Sequence, residues 1–284
     1  VESTDSLARV IKEAFYIARS GRPGPVLIDI PKDVVNTTVD YKEPGDVKMR
    51  SYNPTINPNK RQLQKVVKLV EKARRPVIFA GGGIILSKSS EELTRFARQA
   101  QIPVTTSLMG LGAFPGSDPL WLGMIGMHGT YRANMSSSQC DLLLAVGVRF
   151  DDRVTGKTDA FAAQAQIIHI DIDPTSIRKN IPVTVPVVGD CRFTLEQLND
   201  LLEEEGLRDL EEKRAPWLEQ IEVWKKEARL AYNQKDIIKP QYVIEKLYEL
   251  TGGKAIITTE VGQNQMWAAQ YYHFDKPRHI ITSG

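Results

Sequence analysis

Two arginines, two aspartates and a lysine crowd the run Gly147-Val148-Arg149-Phe150-Asp151-Asp152-Arg153-Val154-Thr155-Gly156-Lys157. Immediately before it stands Leu142-Leu143-Leu144-Ala145-Val146, which has the length and composition of a strand buried in a parallel sheet. A glycine at the carboxyl end of such a strand, followed by a charged loop, is where open α/β sheets hold ligands. Charge this dense suits a polar, phosphate-bearing ligand. Taken alone, the same residues also make a solvated turn.

Four further signals fall at strand ends. Gly81-Gly82-Gly83 follows an apolar run, and without Cβ atoms the backbone there can approach a ligand closely; a tight turn explains the same residues. Asp171 stands where an acid would read a ribose hydroxyl, or where a turn or helix cap would need one. Asp190 follows Gly189 in the same manner. His128 lies between glycines in Gly126-Met127-His128-Gly129-Thr130, a ligand contact or a structural histidine. Together with the Gly147 loop they share one sheet edge, which favours a dinucleotide site. No Ser-His-Asp order, Walker loop or metal-ligand spacing accompanies them, and no residue stands out as a general base. Cys140 and Cys191 form no CxxC and read as reduced core thiols of a cytoplasm-like compartment.

The elements that must position these residues alternate. The pattern predicts strands over 76–80, 102–106, 142–146, 167–173 and 183–188. Helices are predicted near 59–70, 90–99, 131–138 and 193–202, with a short one opened by Pro174. Five short apolar strands spaced by helices imply βα units and a doubly wound parallel sheet, an α/β fold. Upstream, a helix over 6–20 and a strand over 25–30 precede a polar stretch, 34–58, that reads as a linker. Downstream, 203–231 is charged and periodic (Leu207, Leu210, Trp217, Ile221, Trp224, Leu230) and reads as a solvated connector. A helix over 241–250, a strand over 255–259 and a helix through Trp267 and Ala269 follow. Neither flank can bury a core alone.

With 42% hydrophobic and 25% charged residues and a net charge of +2, the 284-residue chain has ordinary globular composition. Interleaved charges call for neither nucleic acid nor a membrane surface. No apolar run approaches the ~20 residues of a membrane helix. The first residue, Val1, and the strand-like beginning before Gly284 suggest a piece of something longer.

At this point the motifs become specific. The chain resembles the acetolactate synthase (acetohydroxyacid synthase) catalytic subunit family, thiamine diphosphate enzymes that also bind FAD. The resemblance rests on Gly21-Arg22-Pro23-Gly24-Pro25-Val26-Leu27-Ile28-Asp29-Ile30-Pro31-Lys32-Asp33, Ser107-Leu108-Met109-Gly110-Leu111-Gly112, the Gly126–Thr130 and Gly147–Lys157 motifs, His169-Ile170-Asp171-Ile172-Asp173, and Val261-Gly262-Gln263-Asn264-Gln265-Met266-Trp267-Ala268-Ala269-Gln270. The first and the His169 motif are shared widely among thiamine enzymes; those around Met127-His128 and Arg149 to Lys157 are more specific.

The resemblance implies the C-terminal end of a thiamine pyrimidine-binding domain (1–35), a linker (36–58), a central FAD-binding domain (59–204), a connector (205–238) and the start of a thiamine diphosphate-binding domain (239–284). It implies a largely structural FAD held by Gly82, Ser107, Leu108, Gly126, Met127, His128, Gly147, Arg149, Asp151, Arg153, Asp171, Ile172, Asp190 and Cys191. Gln263 and Asn264 would lie at the phosphates of thiamine diphosphate. Many relatives carry His at the Asn264 position, and Asn can still donate a hydrogen bond. The family's catalytic glutamate falls upstream of Val1 and its Mg2+-binding segment beyond Gly284, so no catalytic residue or metal ligand is expected here, and the piece by itself is expected to be inactive. Also implied are 2-oxo acid substrates, pyruvate first, leading toward branched-chain amino acids; a homo-oligomer of catalytic subunits; a small regulatory subunit; and a cytoplasmic, plastid or mitochondrial location. Other carboligases or oxidases of the same architecture (glyoxylate carboligase, pyruvate oxidase) and a non-catalytic nucleotide-binding module are the rival readings.

Overall fold

The computed structural model describes every residue except 207, 208, 229, 236 and 284. Leu207, one of the periodic positions named above, therefore lies outside the described residues. The chain divides into two compact units at Ile56/Asn57.

In the first unit, helix α1 (Thr4–Arg19) is followed by a short helix α2 (Lys32–Asn36). Residues 38–56 fold back on α1: the Tyr52 hydroxyl donates to the Ser20 carbonyl at 2.7 Å and Lys12 Nζ to the Pro44 carbonyl at 2.8 Å. The strand expected over 25–30 is absent. Those residues pair with no described strand, and Leu27 is 94% exposed. A strand exists only through a neighbour's ladder, and local β-propensity cannot supply one.

The second unit holds a six-stranded, wholly parallel sheet in the order β3-β2-β1-β4-β5-β6. In chain order its elements are α3 (Lys60–Lys72), β1 (Pro76–Ala80), α4 (Gly82–Leu86), α5 (Ser90–Gln99), β2 (Val104–Thr106), β3 (Trp121–Met124), α6 (Tyr131–Gln139), β4 (Leu142–Val146), α7 (Asp152–Thr155), β5 (Gln166–Asp171), β6 (Val185–Val188), α8 (Cys191–Glu205) and α9 (Leu210–Glu227). Then come α10 (Pro240–Thr251), β7 (Ile257–Thr258), α11 (Gln263–Tyr271) and β8 (Ile280–Ile281), with β7 and β8 paired in parallel.

Alternate residues of each strand enter different cores. Ile78 and Ala80 of β1 join α3, α5 and α8 on one face, while Val77 and Phe79 join the other. Both faces are covered, which is why the strands read as unbroken apolar runs. Two elements departed from expectation by being present. Strand β3 is short and has Gly123 at its centre, so it carries little β signal. Helix α4 starts inside the glycine run, held by the burial of Ile84. The helix expected at Pro174 is only a turn, because Asp173 caps it locally: its Oδ1 accepts from the Thr175 backbone and hydroxyl.

The solvated connector also proves to be structural. Helix α9 lays Trp217, Ile221 and Trp224 against the second core, with the two indoles edge to face at 5.6 Å. Arg214 is fully buried and donates through Nη2 to the Val70 carbonyl at 2.6 Å, while Trp217 Nε1 donates to the Pro76 carbonyl at 3.2 Å. Together they tie α9 to the end of α3 and the start of β1. Arg214 Nε and Nη1 find no partner among the described residues, and burial pulls the guanidinium pKa down to about 10. Urea unfolding is expected to show Arg214→Ala losing about 2–5 kcal/mol, the range of large core truncations. Arg214→Met, which keeps the volume and removes a poorly satisfied buried charge, is expected to lose under about 1.5 kcal/mol.

Candidate functional site

Because all six strands are parallel, their carboxyl ends share one edge. The strand order reverses direction between β1 and β4, the crevice where sheets of this type hold ligands. The glycines at that point have distinct tasks. A Cβ on Gly81 would stand 2.3 Å from the Gly147 carbonyl oxygen, and one on Gly83 would stand 2.6 Å from Gly147 Cα. Gly83 N donates to the Gly147 carbonyl at 3.1 Å. Gly81 and Gly83 therefore serve backbone packing. Gly82 meets only Met109, at an ordinary 3.5 Å, and remains available to a ligand.

The loop after β4 is held by one apolar side chain. Phe150 adopts φ +54° and is buried among Phe79, Phe161 and His169, at 5.1 Å from the imidazole. Its wedge leaves Arg149 and Asp151 exposed on either side, 3.4 Å apart as an ion pair, with Arg153 exposed at the start of the short α7. Asn180 Nδ2 donates to the Phe150 carbonyl at 2.9 Å and so pins the same turn.

The loop after β3 is stitched to it. Gly126 has φ +103°, and a Cβ there would come within 2.6 Å of the Arg153 carbonyl oxygen. Met127 N donates to that same carbonyl at 2.9 Å. Asn134 on α6 clamps Gly126 from both sides, accepting from its N–H and donating to its carbonyl. Met127 and His128 consequently project as exposed side chains. After β2, Ser107 and Leu108 open a single 3₁₀ turn and are half-buried. The Thr106 hydroxyl just before them is buried without a partner among the described residues.

At the other end of the edge, Asp171 closes β5, buried, with Oδ1 accepting from Asp173 N at 2.8 Å, and Ile172 is half-buried. Asp190 caps α8 by accepting from Arg192 N at 2.9 Å. Helix α8 thus starts two residues earlier than the periodicity indicated, because the acid rather than the apolar stripe sets its beginning. Cys191 is buried behind that cap, and burial with the nearby Asp171 and Asp190 pushes its thiol far up. Burial likewise pushes the Cys140 thiol up to about 12, and both cysteines are free. Among the described residues no cluster of acids, histidines or cysteines could hold a metal.

The edge therefore brings together Gly82, Ser107, Leu108, Gly126, Met127, His128, Gly147, Arg149, Asp151, Arg153, Asp171, Ile172, Asp190 and Cys191 as a row of strand ends. Gln263 and Asn264 do not join it; they are exposed at the first turn of α11. Gln270 Nε2, on the same helix, donates to the His128 carbonyl at 2.8 Å and so links α11 to the edge. Sequence reasoning did not find Phe150, Asn134 or Gln270. Asn134, four residues after Thr130, was the one with a signal, since Thr130 caps α6 and marks where the helix turns toward the loop.

His169 lies under the edge in β5, fully buried. Its Nε2 donates to the Val148 carbonyl at 2.8 Å, and Nδ1 has no partner among the described residues. Burial lowers its pKa, so the ring is held neutral. The unfolded chain binds the extra proton below the ordinary value of 6.5, so stability falls as pH drops through that value. Unfolding in urea at pH 7.5 and pH 5.5 is expected to show a smaller stability gap between the two in His169→Gln than in the parent. The glycine roles give a second expectation. Gly83→Ala loses about 1–3 kcal/mol from forced overpacking, whereas Gly82→Ala stays within about 1 kcal/mol of the parent, both read by urea unfolding.

Residues 63–198 match the family model described as "Thiamine pyrophosphate enzyme, central domain". Along its full length the chain is 48% identical to the acetolactate synthase large subunit of Haemophilus influenzae and 46% identical to the isozyme 3 large subunit of Escherichia coli, covering 50% of each. It is 48% identical to the chloroplastic acetolactate synthase 2 of Nicotiana tabacum, covering 43% of that protein. The chain thus spans about half the length of the curated relatives it matches.

Proposed function

We propose a function for a chain that is, over its whole length, a homologue of acetolactate synthase large subunits, with a thiamine pyrophosphate enzyme central domain at residues 63–198: its sheet edge holds FAD, and the start of α11 holds the diphosphate of thiamine diphosphate. The observation that carries the flavin reading is the switch-point crevice. There Gly82 alone of three glycines is left open, beside an exposed Arg149, with a buried acid, Asp171, further along the edge. The buried, unpartnered Thr106 hydroxyl at the same edge also suits a ligand rich in donors and acceptors.

Each residue then has a physical task. Arg149 and Arg153 present guanidinium forks to a pyrophosphate. Gly82 admits the ligand against bare backbone. Asp171 accepts from a ribose hydroxyl. Ser107, Leu108, Met127 and His128 offer a mixed apolar and polar wall to a ring system, and Asp151, Ile172, Asp190 and Cys191 complete the edge. Gln263 and Asn264 donate amide hydrogens to phosphate at a helix N-terminus. Mg2+ would be held through the diphosphate together with residues other than those described. Thiamine diphosphate, when bound, supplies the electron sink for 2-oxo acid decarboxylation. The whole protein's activity is accordingly decarboxylation of pyruvate and transfer to a second 2-oxo acid, in branched-chain amino acid synthesis. It would act as a homo-oligomer of catalytic subunits with a small regulatory subunit, in the cytoplasm, or in a plastid or mitochondrion of a eukaryote. No helix among the described residues is long and apolar enough to cross a membrane.

Titration of the purified chain with FAD, followed by flavin fluorescence, is expected to saturate and to resist displacement by NAD. Arg149→Ala and Asp171→Ala should each weaken binding roughly tenfold or more, the scale of a lost hydrogen bond to a charged group. A folded chain that ignores FAD, or that yields it to NAD, overturns the flavin reading.

A further inference from the structure

Next to the strand-end edge, with which it shares His128, a cavity of about 380 Å³ opens between β3, the last turn of α9 and the end of α11. This volume lies within the ~300–1,000 Å³ of small-molecule sites. Its walls differ in chemistry. Trp121, Tyr272 and Phe274 give an apolar side, continuous with the small core that packs α11 against β3. Arg132, Lys225 and Lys226 give a cationic one.

Arg132 is the informative residue. It sits at the start of α6, half-buried, with Nε donating to the Leu122 carbonyl at 2.8 Å. It makes no ion pair with any described carboxylate. The acids that also line the cavity are engaged elsewhere: Glu222 with Lys225 at 3.0 Å, and Glu245 with the Tyr232 hydroxyl. Burial pulls the guanidinium pKa down, against the charge of Glu222. His273, which lines the same wall, is held toward its neutral form by burial against the pull of Asp275 and Glu245, and by Arg132 itself. A half-buried guanidinium that lines a cavity, and whose two terminal nitrogens make no hydrogen bond or ion pair among the described residues, is the half of an ion pair that a ligand completes.

We propose that this cavity binds a small organic carboxylate, its carboxylate forked by Arg132 and its apolar body laid on Trp121, Tyr272 and Phe274. Arg132, Trp121, Tyr272 and Phe274 lie outside the flavin assignment, and the one lining residue the two share is His128.

Calorimetric titration of the chain with benzoate tests it, with inorganic phosphate as a second probe. One saturable benzoate site is expected, with phosphate much weaker because it cannot use the apolar wall. Arg132→Met should weaken benzoate about tenfold or more while leaving the circular dichroism spectrum and the FAD titration unchanged, and Arg132→Lys should restore part of the loss. Arg149→Ala should leave benzoate binding intact. The proposal is overturned if the folded chain ignores benzoate, if Arg132→Met binds it as well as the parent, if phosphate binds more tightly than benzoate, or if Arg149→Ala abolishes binding and so moves it to the strand-end edge.

Discussion

Two backbones in contact at the centre of the sheet set the terms for the rest of the molecule. Where β1 and β4 leave the sheet, Gly81 and Gly83 lie against Gly147 so closely that a single Cβ on either would overlap main-chain atoms. The chain after β1 turns directly into α4, and the chain after β4 departs the other way, so the switch point has a floor made of peptide groups. Of the three glycines after β1, Gly82 is the one where a Cβ would meet nothing nearer than Met109, at an ordinary 3.5 Å.

The charged loop depends on that floor and on an apolar anchor. Arg149, Asp151 and Arg153 are exposed, and charge alone would not order them; exposed ion pairs contribute little. Phe150 supplies the order by burying its ring beside Phe79, Phe161 and His169. The neutral imidazole of His169 then holds the Val148 carbonyl from below. Polar groups at the surface thus inherit their positions from apolar packing beneath them, as a preformed site requires. The Gly126 loop inherits its position in turn, through its bonds to the Arg153 carbonyl and Asn134.

The segment that follows the sheet is bound to it by backbone contacts as well as by the small apolar core that includes Met124, Ala268, Tyr272 and Phe274. Gly112 lies beneath the Lys276 carbonyl, where a Cβ would come within 2.2 Å, and Gly116 N donates to the Phe274 carbonyl at 3.1 Å. Ser117 N reaches Asp275 at 2.8 Å. Helix α11 consequently sits beside β3, with Gln270 bonded to the His128 carbonyl of the loop after β3 and Gln263 and Asn264 at its far end. The two candidate cofactor regions are therefore the two ends of one tethered element. The carboxylate cavity occupies the space left where that element meets α9.

The sequence by itself determined the parallel sheet, because strands buried on both faces must be continuous apolar runs: β1 and β4 are legible residue for residue, and the glycine and acid punctuation marks their ligand-facing ends. It also carried the motifs on which the resemblance to acetolactate synthase stands, since close-approach glycines and a charged loop at a strand end are choices of residue type. Tertiary structure alone decided which glycines pack and which stays open, for all three are identical until Gly147 is placed opposite them. It made a buried layer of α9, whose charged surface hides the face that Trp217 and Trp224 present. It denied 25–30 a ladder, because hydrogen bonds between strands belong to pairs of segments and no single segment encodes its partner.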